Sequence, residues 1–132
     1  MLNSKKNVTP RVRVIQKLYA NSLNPEANID YTKSQYKKFI KDVVQGTIER
    51  NDLIIETIKK HIPNDVDLNR TDKLLSIIIF AAVFELMFRH SSPTNVVINE
   101  YVKTGEFFLE KAQIKFLNAI LDKISKIIRK PL

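Results

Sequence analysis

Ser92-Pro93-Thr94-Asn95-Val96-Val97-Ile98-Asn99-Glu100-Tyr101-Val102 opens with a helix-start signal and continues with apolar residues at helical spacing. Ser92 suits an N-cap, and Pro93 suits the first helical position, where a missing N–H is no loss. Fourteen residues on, Phe116-Leu117-Asn118-Ala119-Ile120-Leu121-Asp122 repeats the pattern. Each stretch carries an amide, Asn99 or Asn118, among apolar neighbours. An amide on an apolar face is costly unless it is hydrogen-bonded. Both are therefore expected to bond across a helix–helix contact and fix its register, with Glu100 grouped beside them as a structural residue.

Helical spacing extends outward in both directions. Thr9-Pro10 predicts the start of a first helix running to about Ser22, with Val12, Ile15, Leu18 and Tyr19 as its apolar stripe. After a loop at 24–30, Tyr36, Phe39, Ile40, Val43, Val44, Thr47 and Ile48 follow the i, i+3, i+4, i+7 rule. The stripe continues through Ile54, Ile55, Ile58 and Ile62. This is one long helix or two joined near residues 46–52, ending before Pro63. Lys33, Lys37 and Lys41 share its polar side. Residues 71–90 are apolar nearly all round and predict a central helix buried on most sides. The last helix carries Leu117, Ile120, Leu121, Ile124 and Ile128 on one face, with Lys111, Lys115, Lys123 and Lys126 in water. No alternating run long enough for a strand occurs, so the expected fold is all-α, a compact bundle of about six to seven helices.

At 132 residues the chain fits one domain, 1–132, large enough to bury a core. It has no cysteine, which excludes disulfides, thiolate metal sites and cysteine nucleophiles and suits a reducing cytoplasm. The first 13 residues are polar and basic, unlike a signal peptide. The longest apolar run, residues 74–88, is shorter than the roughly 20 residues of a membrane span and contains Ser76 and Glu85. No membrane association is expected.

The net charge of +8 is uneven. Residues 1–38 hold eight Lys or Arg against Glu26 and Asp30, and residues 111–132 hold six against Asp122. The middle of the chain is mildly acidic. Clustered cations are the footprint of a nucleic-acid partner, although a Lys-rich composition alone also yields a basic protein. The cations at the front are the most specific: Lys5, Lys6, Arg11, Arg13 and Lys17, followed by Gln16 and Tyr19 within the same helix start. Cations beside the free N–H groups of a helix N-terminus suit phosphate contacts. Gln16 has the groups to read a base edge, and Tyr19 either stacks on an unpaired base or fills the core.

No catalytic set is visible. His61 and His90 stand at helix ends without companions at metal-ligand spacing, and no glycine-rich phosphate loop exists. No metal, cofactor or small-molecule substrate is expected, and no enzymatic activity. Glu85, inside the central apolar helix, lacks a second acid or imidazole nearby. It is expected to be structural, capping a neighbouring helix.

These segments resemble the NusB family of transcription antitermination factors. Arg11-Val12-Arg13-Val14-Ile15-Gln16-Lys17-Leu18-Tyr19 is similar to the family's R-x-x-A-(V/L)-Q-x-L-Y helix, and Val43-Val44-Gln45-Gly46 to the end of its second. Arg70-Thr71-Asp72 and Ala82-Val83-Phe84-Glu85-Leu86 stand at the spacing of R-(L)-D and A-x-Y-E-L. Residues 98–122 match without a gap. The resemblance implies two helical subdomains, a partnership with the ribosomal protein NusE, and joint binding of the boxA element of nascent RNA. It also implies entry into an antitermination complex on RNA polymerase, notably on ribosomal RNA operons. By the same resemblance the RNA meets Lys5, Lys6, Arg11, Gln16 and Tyr19. The chain departs from the pattern at Phe80, where the family has Arg, and at Leu109 and Ala119, where it has Gly. Two further roles stand beside this one: a stand-alone RNA adaptor like the accessory domain of ribosomal RNA cytosine methyltransferases, and a small helical ligand-binding protein.

Overall fold

A computed structural model describes residues 8–62 and 71–130, which form six helices: α1 (Pro10–Leu23), α2 (Lys37–Glu49), α3 (Asn51–His61), α4 (Lys73–Phe88), α5 (Thr94–Gly105) and α6 (Lys111–Ile128). The helix starts are written locally. Thr9 caps α1 by accepting from the Val12 N–H at 3.3 Å, with Pro10 in the first turn. Asp72 caps α4 by accepting from the Leu75 N–H at 3.1 Å. Glu110 and Gln113 form a reciprocal capping box at the head of α6, in which the Glu110 N–H donates to Gln113 Oε1 at 2.9 Å.

The stripe through residues 36–62 divides into two helices at Arg50. That residue leaves helical geometry (φ −106°, ψ 20°), while its N–H still donates to Gly46 and its carbonyl already accepts from Ile54. Its guanidinium lies over the Phe88 ring at 4.4 Å, which ties the bend to the end of α4. Helix α5 begins one residue later than its sequence suggests. Pro93, with extended ψ, is the N-cap, and no side chain caps the helix there.

Helix α4 is the hub. Residues 75–79 and 81–86 are all buried, and the helix packs against each of the other five. An all-round apolar surface requires this, because every face must find a partner. Helices α1, α2 and α3 pack against it as one group and α5 and α6 as another, with α1 also touching α5 and α3 touching α6. These are the two helical subdomains that the family resemblance implies. Two devices hold neighbouring helices close to α4. Gly46, inside α2, lets that helix approach the Phe84 ring so nearly that an added Cβ would stand 2.1 Å from its tip. Arg129, just past α6, donates to the main-chain carbonyls of Glu85, Leu86, Arg89 and Ser92 and to Thr94 Oγ1. One guanidinium thus adds hydrogen bonds to the carbonyls at the C-terminus of α4 and pins the turn into α5.

Candidate nucleic-acid interface

The outer face of α1 follows from its period. Residues 12, 14, 15 and 18 are buried, so Arg13, Gln16, Lys17 and Ala20, spaced by three and four, face outward together. With the following loop they border a groove of about 250 Å³ that reaches Asn24 and Asp30. Arg13 is exposed; Gln16 and Lys17 are half-buried. The Lys17 ammonium donates to the Asp30 carbonyl and lies 5.3 Å from the centre of the Tyr31 ring. The Tyr31 hydroxyl accepts from Gln45 Nε2 at 2.8 Å. Burial raises the pKa of Tyr31, and this hydrogen bond partly offsets the rise. The loop after α1 is thereby fastened to α1 and to α2. Tyr19 is half-buried and packs against the core, the second of the two environments named for it.

Arg11 is not on this face, contrary to expectation. Two residues before Arg13, it points the opposite way, into the bundle, where its side chain is 14% exposed. Its Nε donates to Glu85 Oε2 at 2.9 Å and a terminal nitrogen donates to Oε1 at 2.7 Å, a two-pronged pair. The Glu85 carboxylate, fully buried, also accepts from the Tyr101 hydroxyl. The Arg11 guanidinium lies 4.9 Å from the Phe39 ring centre and 5.4 Å from that of Tyr101. Glu85 is structural as expected, but it caps no helix. A buried carboxylate needs a matching cation, and Arg11 is that cation. Burial opposes the charge on Arg11, yet the hydrogen bond and charge of Glu85 outweigh it and raise its pKa, with a smaller contribution from Glu100. Burial first, then the Glu85 charge, pushes the Tyr101 hydroxyl well above the usual tyrosine range.

Both amides also need correction. Asn99 and Asn118 are exposed, and neither side chain is hydrogen-bonded among the described residues. Asn118 shares its face with Lys111, Lys115 and Asp122, and Asn99 shares its own with Asn95 and Lys103. The buried stripes fall one position earlier, at Leu117 and Ile98. Half-buried Glu100 has a main-chain role, accepting from the Thr104 hydroxyl at 2.8 Å. Lys5 and Lys6 lie outside the described residues.

On its α2 side, the α1 face continues into a second cleft that includes Lys33 and Lys37. The sequence places these lysines on a polar face but does not bring them to Arg13 and Lys17; the fastened loop does. Among the described residues no helix is long and apolar enough to cross a membrane.

In the solved structures the fold is shared with NusB from T. maritima (TM-score 0.76, 23% identity, 89% of each chain). It is shared equally with antitermination factors NusB and NusE in complex with dsRNA (TM-score 0.76, 21% identity, 89% of this chain and 94% of that one). Among curated sequences, the transcription antitermination protein NusB of Rickettsia bellii (strain OSU 85-389) is 32% identical over 128 residues, 95% of this chain and 80% of the relative. Its counterpart in Mesorhizobium japonicum is 33% identical over 92 residues, 70% of this chain, and the chain spans 59% of that relative's length. A family model described as the NusB family matches residues 4–126, and the chain belongs to that family.

Proposed function

We propose that this chain is a transcription antitermination factor, a single RNA-binding unit over residues 1–132. It binds boxA RNA together with NusE and joins the antitermination complex on RNA polymerase, notably on ribosomal RNA operons. It does so in the cytoplasm and without catalytic activity of its own. Family membership supports this function. The observation that carries it to particular residues is the outward face of α1, where Arg13, Gln16 and Lys17 stand together beside a groove. Cations supply sequence-independent phosphate attraction, and Gln16 supplies a donor and an acceptor for a base edge. Lys5 and Lys6 are counted with this face on sequence grounds; Arg11, spent on Glu85, is not.

The test is the salt dependence of binding. Each phosphate contact on single-stranded RNA contributes roughly 0.7 to the slope of log affinity against log salt. Replacing Arg13 and Lys17 with alanine is expected to weaken boxA binding and lower the slope by about 1.4. An unchanged slope would place the RNA on another surface.

A further inference from the structure

The cleft between α1 and the start of α2 has an unusual lining. Arg13 and Lys17 of α1 and Lys33 and Lys37 from the loop and α2 line it, with Tyr31 and Ser34, around a volume of about 270 Å³. No carboxylate lines it. Arg13, Lys33 and Lys37 are exposed, and none of the three is in an ion pair among the described residues. Lys38, one residue from Lys37, is different: it is paired with Asp42 at 2.9 Å, outside the cleft. Lys17 is held by a main-chain carbonyl, which leaves its charge uncompensated.

Four like charges thus border one small space without a carboxylate among its lining residues. Yet the cleft does not depend on loose side chains alone. The loop that carries Lys33 is fastened to α1 through Lys17 and to α2 through the Gln45–Tyr31 hydrogen bond, so its walls are in place before any ligand arrives. A carboxylate-free cleft bordered by four cations on a fastened backbone fits an oxyanion. The groove on the outer face of α1 shares Arg13 and Lys17 with this cleft, so the two form one continuous track.

We propose that the cleft is a phosphate-binding subsite that takes the backbone of single-stranded RNA after it leaves the outer face of α1. This rests on the RNA-binding function proposed above and extends it to Lys33 and Lys37. The lining offers charge and hydroxyl groups but no amide side chain, so the subsite adds affinity without base preference.

The test compares the full chain with Lys33→Ala/Lys37→Ala and with Arg13→Ala/Lys17→Ala, titrating boxA RNA and a scrambled RNA of equal length across a salt series. Lys33 and Lys37 are exposed, and a thermal melt checks that the first variant folds. The expected result is a slope lower by about 1.4 for Lys33→Ala/Lys37→Ala, with the same severalfold loss on both RNAs. An unchanged slope in that variant, with a lowered slope in Arg13→Ala/Lys17→Ala, would overturn the subsite and leave the RNA face of α1 standing. Absence of salt-dependent RNA binding in the unaltered chain would overturn both. Inorganic phosphate, titrated alone by NMR, separates the remaining source. If it binds saturably through Lys33 and Lys37 while the RNA slope is unchanged by their loss, the cleft serves a free anion. If the variant keeps its RNA slope but loses NusE, the cleft serves a protein. Either result overturns the assignment to the RNA backbone.

Discussion

Arg11 and Glu85 are 74 positions apart, yet each explains the other. A fully buried carboxylate beside apolar neighbours is tolerable only with a cation of matching geometry, and the planar guanidinium supplies two parallel hydrogen bonds. Removing the cation strands the charge. Arg11→Met is expected to destabilise the protein by about 3–5 kcal/mol, and adding Glu85→Gln should recover much of it. Denaturant unfolding of the two single variants and the double variant measures the coupling; additive effects would mean that the pair does not act as a unit. Tyr101 supplies a pH-dependent companion test. Its pKa is raised in the folded state, so its contribution is present below the ordinary tyrosine value of 10.0 and is lost as pH climbs from there toward the folded value. The stability gap between the unaltered protein and Tyr101→Phe is therefore expected to narrow above pH 10.0 in alkaline unfolding titrations. A gap that holds constant would contradict the raised value. The sequence marks Glu85 as buried but leaves its partner unnamed. In register, Arg11 lies four and seven residues before Ile15 and Leu18, on the buried stripe, so the spacing contained the answer that the local density of cations obscured. The two amides erred by the same mechanism: a shift of one residue, about 100° around a helix, separates a buried stripe from a wet one.

At the scale of helices, the sequence was most legible where the signal is local. Thr9-Pro10 and the apolar period placed α1 and α4 to within two residues. The break at Arg50 was ambiguous because the apolar stripe continues through it, and what holds the bend is a distant ring, Phe88. The clasp of Arg129 on the end of α4 was illegible for the same reason, since its acceptors are main-chain carbonyls more than 30 residues away. Gly46 shows how packing overrides propensity. In an exposed helix, Gly→Ala gains about 1 kcal/mol. Here the new Cβ would meet the ring of Phe84, which is itself 7% exposed and packed on Phe88 at 5.4 Å between ring centres. Gly46→Ala is expected to destabilise by about 1–3 kcal/mol, with partial relief from Phe84→Leu. A rise in melting temperature for the single variant would show that the ring yields freely and that the glycine has no packing role.

Across the whole molecule, the division of labour follows α4. Helix α4 takes up apolar faces from both groups, while Arg13, Lys17, Lys33 and Lys37 gather outside it around one cleft. That separation leaves a basic track on a rigid frame, which suits an adaptor holding RNA backbone. The sequence disclosed the charge and the family motifs, but not how the loop joins cations separated along the chain into one track. The proposed joint action with NusE is the central claim, and it has a thermodynamic signature. If the two partners assist each other, the coupling is typically 1–3 kcal/mol and must be the same in both directions. The decisive measurement is boxA RNA affinity with and without saturating NusE, paired with NusE affinity with and without saturating RNA. Equal ratios above about fivefold are expected. Failure of NusE to bind, or binding that leaves the RNA affinity unchanged, would contradict the joint role.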